Sequence, residues 1–178
     1  MKKHLLNSLF LVVSCIAAAI AQPSTTQNHV VTNAILTPGV TTEQAIGTLT
    51  SLQRQQKVVY LDGLGRTVQT VQTQGSPLRN DVVVPATYDQ LGRPDKSYLP
   101  YVRNNSGAFQ ADGVTQQLSF YQQGWDRIAN DTKPFSVNQY ETSPLGRVMQ
   151  KGAAGLTWQP DTPPSPAGSP VRTIKSVP

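Results

Sequence analysis

Three stretches of the sequence place an acid, an arginine and a tyrosine close together. They are Tyr60, Asp62 and Arg66; Tyr88, Asp89 and Arg93; and Tyr140, Glu141 and Arg147. Carboxylate, guanidinium and phenol could together hold a ligand, with the tyrosines as a platform for a sugar ring. The same residue types also have a plainer use. Each stretch closes on Leu-Gly-Arg, with glycines at 65, 92 and 146. Glycine takes a positive φ at no steric cost where a chain reverses. An acid just upstream can accept hydrogen bonds from turn N–H groups or face the arginine across a hairpin. Turn chemistry alone accounts for Asp62, Asp89, Arg66, Arg93 and Arg147, and it is the favoured reading. The tyrosines and leucines are then expected to supply apolar surface to a neighbouring copy.

Other chemistries find less support. Beyond the first 21 residues there is one histidine, His29, and no cysteine. A zinc site of His and Cys ligands is excluded by count. No serine lies in a nucleophile-elbow context, so a Ser-His-Asp arrangement has no anchor. Asp62-Gly63 and Asn130-Asp131 lack the alternating oxygens of a calcium loop, and the glycine turns do not form a phosphate loop. Nothing in the sequence pairs two carboxylates for glycoside hydrolysis. No catalytic residue, metal or cofactor is therefore expected. Trp125 and Trp158 are the candidates for ligand stacking, although a single aromatic in a β fold more often packs in the core. The net charge of +5 includes Lys2 and Lys3. The remaining charges are scattered rather than clustered, which argues against a nucleic-acid surface.

The elements that would position these residues read as strands. Residues 58–61 are apolar, 67–73 are rich in β-branched residues, and Asp62-Gly63 between them reads as a hairpin turn. Residues 81–88 repeat the pattern, with Pro85 pointing to an edge or a bulge. Further short strands are expected from Ser97, over 134–140 and from Val148. A strand is expected over 29–35. Residues 115–126 are the best helix candidate, and the stretch 41–54 is a weak one because of Gly47 and its threonines. The glycines of the three turns lie 27 and then 54 residues apart. The doubled interval suggests a degenerate copy near Tyr121-Gln122-Gln123-Gly124.

The ends differ in kind. Lys2 and Lys3 precede an apolar run over 5–20, and Ala19-Ile20-Ala21 fits the small-x-small rule, so 1–21 is expected to be a signal peptide cleaved after Ala21. Cys15, in Val12-Val13-Ser14-Cys15, offers a lipoprotein alternative, the only route by which membrane attachment is expected. A transmembrane anchor is disfavoured because the run is short. Residues 22–56 read as a polar lead-in with first strand and helix elements, 57–158 as the repeat region, and 159–178 as a Pro-rich linker or tail. The expected fold is mainly β: consecutive antiparallel hairpins with one short helix.

Tyr88-Asp89-Gln90-Leu91-Gly92-Arg93 resembles the core of YD (RHS) repeats, and Tyr60-Leu61-Asp62-Gly63-Leu64-Gly65-Arg66 resembles a variant with one inserted residue. With residues 140–147, the stretch from 57 to 158 is similar to the N-terminal region of Bacteroidetes RHS-repeat proteins, a domain of unknown function. The resemblance implies an exported, non-catalytic segment of a surface or secreted β-shell, used in effector encapsulation, interbacterial competition or adhesion. Its implied partners are further repeats, or another chain, packing on an exposed strand edge. The chain lacks the long array and the C-terminal core of that family. A stand-alone module binding a surface glycan or protein is the alternative, and a secreted hydrolase a distant third.

Overall fold

The computed structural model describes residues 23–104, 107–124 and 126–160, together with the backbone of 172–173. The expected signal peptide, Cys15, Trp125 and most of the Pro-rich tail lie outside the described residues. Nine strands and two helices are described: β1 (Asn28–Ile35), α1 (Glu43–Thr48), β2 (Arg54–Leu61), β3 (Thr67–Thr73), β4 (Asp81–Thr87), β5 (Lys96–Tyr98), β6 (Tyr101–Arg103), α2 (Gly113–Gln122), β7 (Phe135–Tyr140), β8 (Val148–Gly152) and β9 (Arg172–Thr173). They form one sheet in the order β1-β2-β3-β4-β5-β7-β8-β9, with β6 also pairing β4. All neighbours are antiparallel except β9, which runs parallel to β8 over two residues. The fold is mainly β and built of consecutive hairpins, as the sequence implies.

Register follows from alternation. In β3, in β4 up to Pro85 and in the second half of β2 buried residues alternate with less buried ones, so one face of the sheet is covered. Val58, Val71, Val83 and Tyr101 lie opposite one another across four strands and form a single buried row. Tyr60 completes this core, with Val68, Phe109 and Phe120 against it. Helix α2 and the segment 107–110 cover the face. The segment is tied down by side chains from the sheet. Gln69 donates to the Gln110 carbonyl (3.1 Å) and accepts from its N–H (2.8 Å). Asp81 accepts from the N–H groups of Gln74 and Gly107. Tyr60 donates to the Gly107 carbonyl at 2.7 Å.

Several expectations change in detail. The first strand of the 22–56 stretch is β1, which pairs β2 along all eight of its residues. Ser24 joins the core network, its N–H donating to the Tyr60 hydroxyl and its own hydroxyl accepting from Phe109 N–H. The His29 ring lies 5.8 Å from that of Tyr60. Pro85 sits in an interior strand, not at an edge. Its missing N–H is tolerated because β4 changes partner there, pairing β6 through Val83 and β5 from Ala86. Two helices form rather than one. The weak 41–54 stretch holds α1, whose Thr42 hydroxyl accepts from Ala45 N–H as an N-cap. Helix α2 starts two residues earlier than read and ends at Gln122. No degenerate copy occupies 121–124: Tyr121 is helical, with its hydroxyl donating to the Pro100 carbonyl, and Gly124 (φ 65°) follows the helix end. The doubled interval between turns is filled by β6 and α2 instead.

Candidate functional site

The three acid–arginine stretches fold into three closely similar turns. In each, the acid's N–H donates to the arginine carbonyl, at 2.9 Å for Asp62–Arg66, Asp89–Arg93 and Glu141–Arg147 alike. The turn glycine donates back three residues, Gly65 to Asp62, Gly92 to Asp89 and Gly146 to Ser143. Positive φ falls on Gly65 (77°), Gly92 (76°) and Gly146 (64°). This is a type I turn followed by a left-handed residue, a common hairpin connection. Asp62-Gly63 supplies the first two positions of its turn, as read, and the left-handed Gly65 closes it.

The acids hold these turns from inside. One oxygen of Asp62 accepts from the N–H groups of Leu64 and Arg66, both at 2.9 Å, and the other from Arg66 Nε at 2.7 Å. Asp89 does the same for Leu91 and Arg93. The third turn is two residues longer, and the work is divided. Ser143 Oγ accepts from Leu145 N–H, while Glu141 takes the Arg147 N–H and grips the guanidinium through both oxygens at 3.0–3.2 Å. Glutamate has the reach that the longer loop requires. The side chains of Leu64, Leu91 and Leu145 are 80%, 68% and 75% exposed. They do not supply packing surface to neighbouring copies as expected, because the turn directs them to water.

Contact between copies runs instead through arginine and tyrosine. The Arg66 guanidinium carbon lies 4.5 Å from the centre of the Tyr88 ring, and that of Arg93 lies 4.3 Å from the Tyr140 ring. Each is a cation–π contact from one motif to the next. The tyrosine hydroxyl then donates to the carbonyl just after that arginine: Tyr88 to Thr67 at 2.8 Å, Tyr140 to Pro94 at 3.0 Å. The arginine also reaches the next turn glycine. Arg66 Nη1 lies 2.8 Å from where a Cβ on Gly92 would stand, and Arg93 Nη1 lies 3.5 Å from the equivalent point on Gly146. Acid, arginine, tyrosine and glycine therefore form the rungs of a ladder along the sheet.

Tyr60 stands apart from this ladder. It is fully buried on the core face, whereas Tyr88 and Tyr140 serve the rungs. Because the first motif has one extra residue, Leu61 takes the place next to the acid. A one-residue offset in a strand moves a side chain to the opposite face. Trp158 is half-buried on a 3-10 turn (Leu156–Trp158), with its ring against Gly155 and its carbonyl near Gly152. This is a packing position. Gln69 and Asp81 anchor the covering segment, although neither belongs to a motif visible in the sequence. Their place on the buried side of alternating strands was the available signal.

The carboxylates titrate accordingly. The Arg147 guanidinium, then the Ser143 hydroxyl, hold Glu141 down from 4.5 to about 2. Asp62 and Asp89 are lowered from 3.8, first by the N–H of Arg66 and Arg93 respectively, with the guanidinium adding to it and desolvation opposing. A lowered folded-state value means stability that is full above the unfolded value and lost as pH falls through the folded one. The third turn is therefore expected to loosen between pH 4.5 and about 2, and the first two only below 3.8. An acid titration following the arginine Nε–H resonances checks these windows. Loss of all three turns above pH 4.5 would contradict it.

Two glycines allow turn strain to be separated from contact between motifs. Gly65→Ala meets no atom within 4 Å, whereas Gly92→Ala meets Arg66. Both should lose about 1–2 kcal/mol from the left-handed backbone. Only Gly92→Ala should also displace Arg66 from Tyr88, seen as loss of the ring-current shift on Arg66. An equal response from both variants would count against the ladder.

No curated protein and no solved structure matches the chain. Residues 34–167 match a family described as a domain of unknown function, DUF6443. That range holds all three turns, both arginine–tyrosine rungs and the covering helix, so the chain belongs to the DUF6443 family.

Proposed function

We propose that the chain is an exported, non-catalytic scaffold segment of YD-repeat type that forms the opening part of a surface or secreted β-shell. Encapsulation of an effector, interbacterial competition and adhesion are the roles that such a shell serves. The observation that carries this reading is the arginine–tyrosine ladder. Its carboxylates and guanidiniums are occupied with one another and with turn backbone, which is what a structural repeat requires and leaves little for a substrate. The residue spacing of a YD repeat is thereby given a physical task, the coupling of one hairpin to the next. Export rests on the charged and apolar pattern of residues 1–21.

The test is the size and location of the native product. An antibody raised to residues 40–150 would be used on surface, periplasmic and culture fractions. A band far above 19.3 kDa is expected for the leading part of a shell. A surface or secreted band slightly below 19.3 kDa would defeat the shell and favour a stand-alone binding module. One feature favours that second reading: a largely apolar cleft of about 920 Å³ between the β3–β4 loop, β6 and α2, with Pro77, Leu78, Val102, Phe120 and Ile128 in its walls. Its volume falls in the usual range for small-molecule sites. Saturable binding of a glycan or protein that Phe120→Ala abolishes would support the module.

A further inference from the structure

Two of the three ladder arginines are stacked and the third is not. Arg66 and Arg93 lie over the tyrosines of the following motifs, and their side chains are 36% and 25% exposed. Arg147 is 70% exposed, and among the described residues no aromatic ring lies over it. It is not a loose side chain. Three hydrogen bonds to both oxygens of Glu141 fix its guanidinium. Its turn closes with the same hydrogen bonds as the other two, and Val148 pairs with Tyr140 as Thr67 pairs with Leu61. The Thr67 carbonyl, in the place that Val148 holds, accepts a tyrosine hydroxyl.

We infer that Arg147 and the Val148 carbonyl form the open rung of the ladder, and that its occupant is a β-hairpin bearing a tyrosine with a turn glycine four to six residues beyond it. This spacing is that of Tyr88 to Gly92 and of Tyr140 to Gly146. The tyrosine ring lies under the Arg147 guanidinium, its hydroxyl donates to Val148, and its glycine lets the guanidinium approach. The argument is continuity: two complete rungs on the page define the contacts, and the third motif carries the arginine half of another. The other end of the ladder is closed. Leu61 offers neither ring nor hydroxyl, and β2 is already paired along its length by β1. Among the described residues only Arg147 can extend the series, and the two-residue strand β9, parallel to β8 at Gln150 and Lys151, is the segment that an incoming hairpin displaces. This inference rests on the repeat-scaffold reading and names the partner that it requires.

The test uses the full chain, isotope-labelled in arginine, and a synthetic hairpin of residues 134–152 closed end to end. In the free chain the Nε–H signals of Arg66 and Arg93 are expected to show ring-current shifts and that of Arg147 none. Adding the hairpin should move the Arg147 signal saturably in the same direction. A hairpin with Tyr140→Leu should bind roughly tenfold more weakly or worse, since it lacks both the ring and the hydroxyl. A chain with Arg147→Lys keeps the charge but not the flat stacking group, and should lose affinity similarly. Binding that ignores both substitutions, or no Arg147 shift while Arg66 and Arg93 are shifted, overturns the open rung and leaves the ladder standing. Absence of ring-current shifts at all three arginines in the free chain overturns the ladder, and with it both proposals.

Discussion

Replacing Tyr60 with alanine is expected to destabilise the chain by about 3–5 kcal/mol, the usual range for removing a large aromatic from a core. Tyr60 has no exposed surface, packs edge-on against Phe109 at 5.3 Å, and joins the sheet to two covering segments through one hydroxyl. Removal opens a cavity and also strands the Gly107 carbonyl and the Ser24 N–H. A domain of this size has about 5–15 kcal/mol in total, so the loss is a large fraction of it. Urea unfolding followed by circular dichroism measures the change. Tyr60→Phe keeps the ring and should lose less, about 1–3 kcal/mol, from leaving the buried Gly107 carbonyl without its partner. Equal effects from the two variants would show that the ring is not what matters.

The second large effect is expected at Gln69. Leucine has similar volume but no polar atoms, so Gln69→Leu leaves the Gln110 N–H without its partner in the interior, while the Gln110 carbonyl keeps the Gly113 N–H. An unsatisfied buried group costs about 1–3 kcal/mol, and that is the expected loss. The damage should be local before it is global. Segment 107–110 and the start of α2, where Gly113 lies against Gln69 Nε2, are expected to exchange their amides faster than β2 and β3 do. Uniform acceleration throughout the sheet, or none, would contradict the picture of a covering segment whose Gln110 end is pinned by Gln69.

Much of the turn chemistry was legible because its causes are local. Asp89, Gly92 and Arg93 lie within five residues of one another, and a carboxylate two positions before an N–H finds it without help from the rest of the fold. Strands β2 and β3 were legible from β-branched content. What failed was phase. Tyr60 and Tyr88 both precede an acid, yet Val58 and Tyr60 alternate together, and that alternation assigns Tyr60 to the core. The partners of Gln69 and Asp81 lie 41 and 26 residues away, so sequence alone names no reason to bury them. The leucines of Leu-Gly-Arg misled for the opposite reason. Apolar character suggested contact, while the turn geometry that Gly65, Gly92 and Gly146 permit faces them outward.

The closed first rung has a consequence for crowded solutions. A surface that donates at one end and accepts at the other is head-to-tail, and identical copies joined in that way grow into open fibres unless the rotation closes a ring. Here the accepting end has lost its tyrosine to Leu61 and its free backbone to β1. One molecule's Arg147 therefore finds no complement in the first motif of another, and the chain is protected from polymerising on itself through the contacts that join its own repeats. A Leu61→Tyr substitution alone would not undo this, because β1 would still shield the strand.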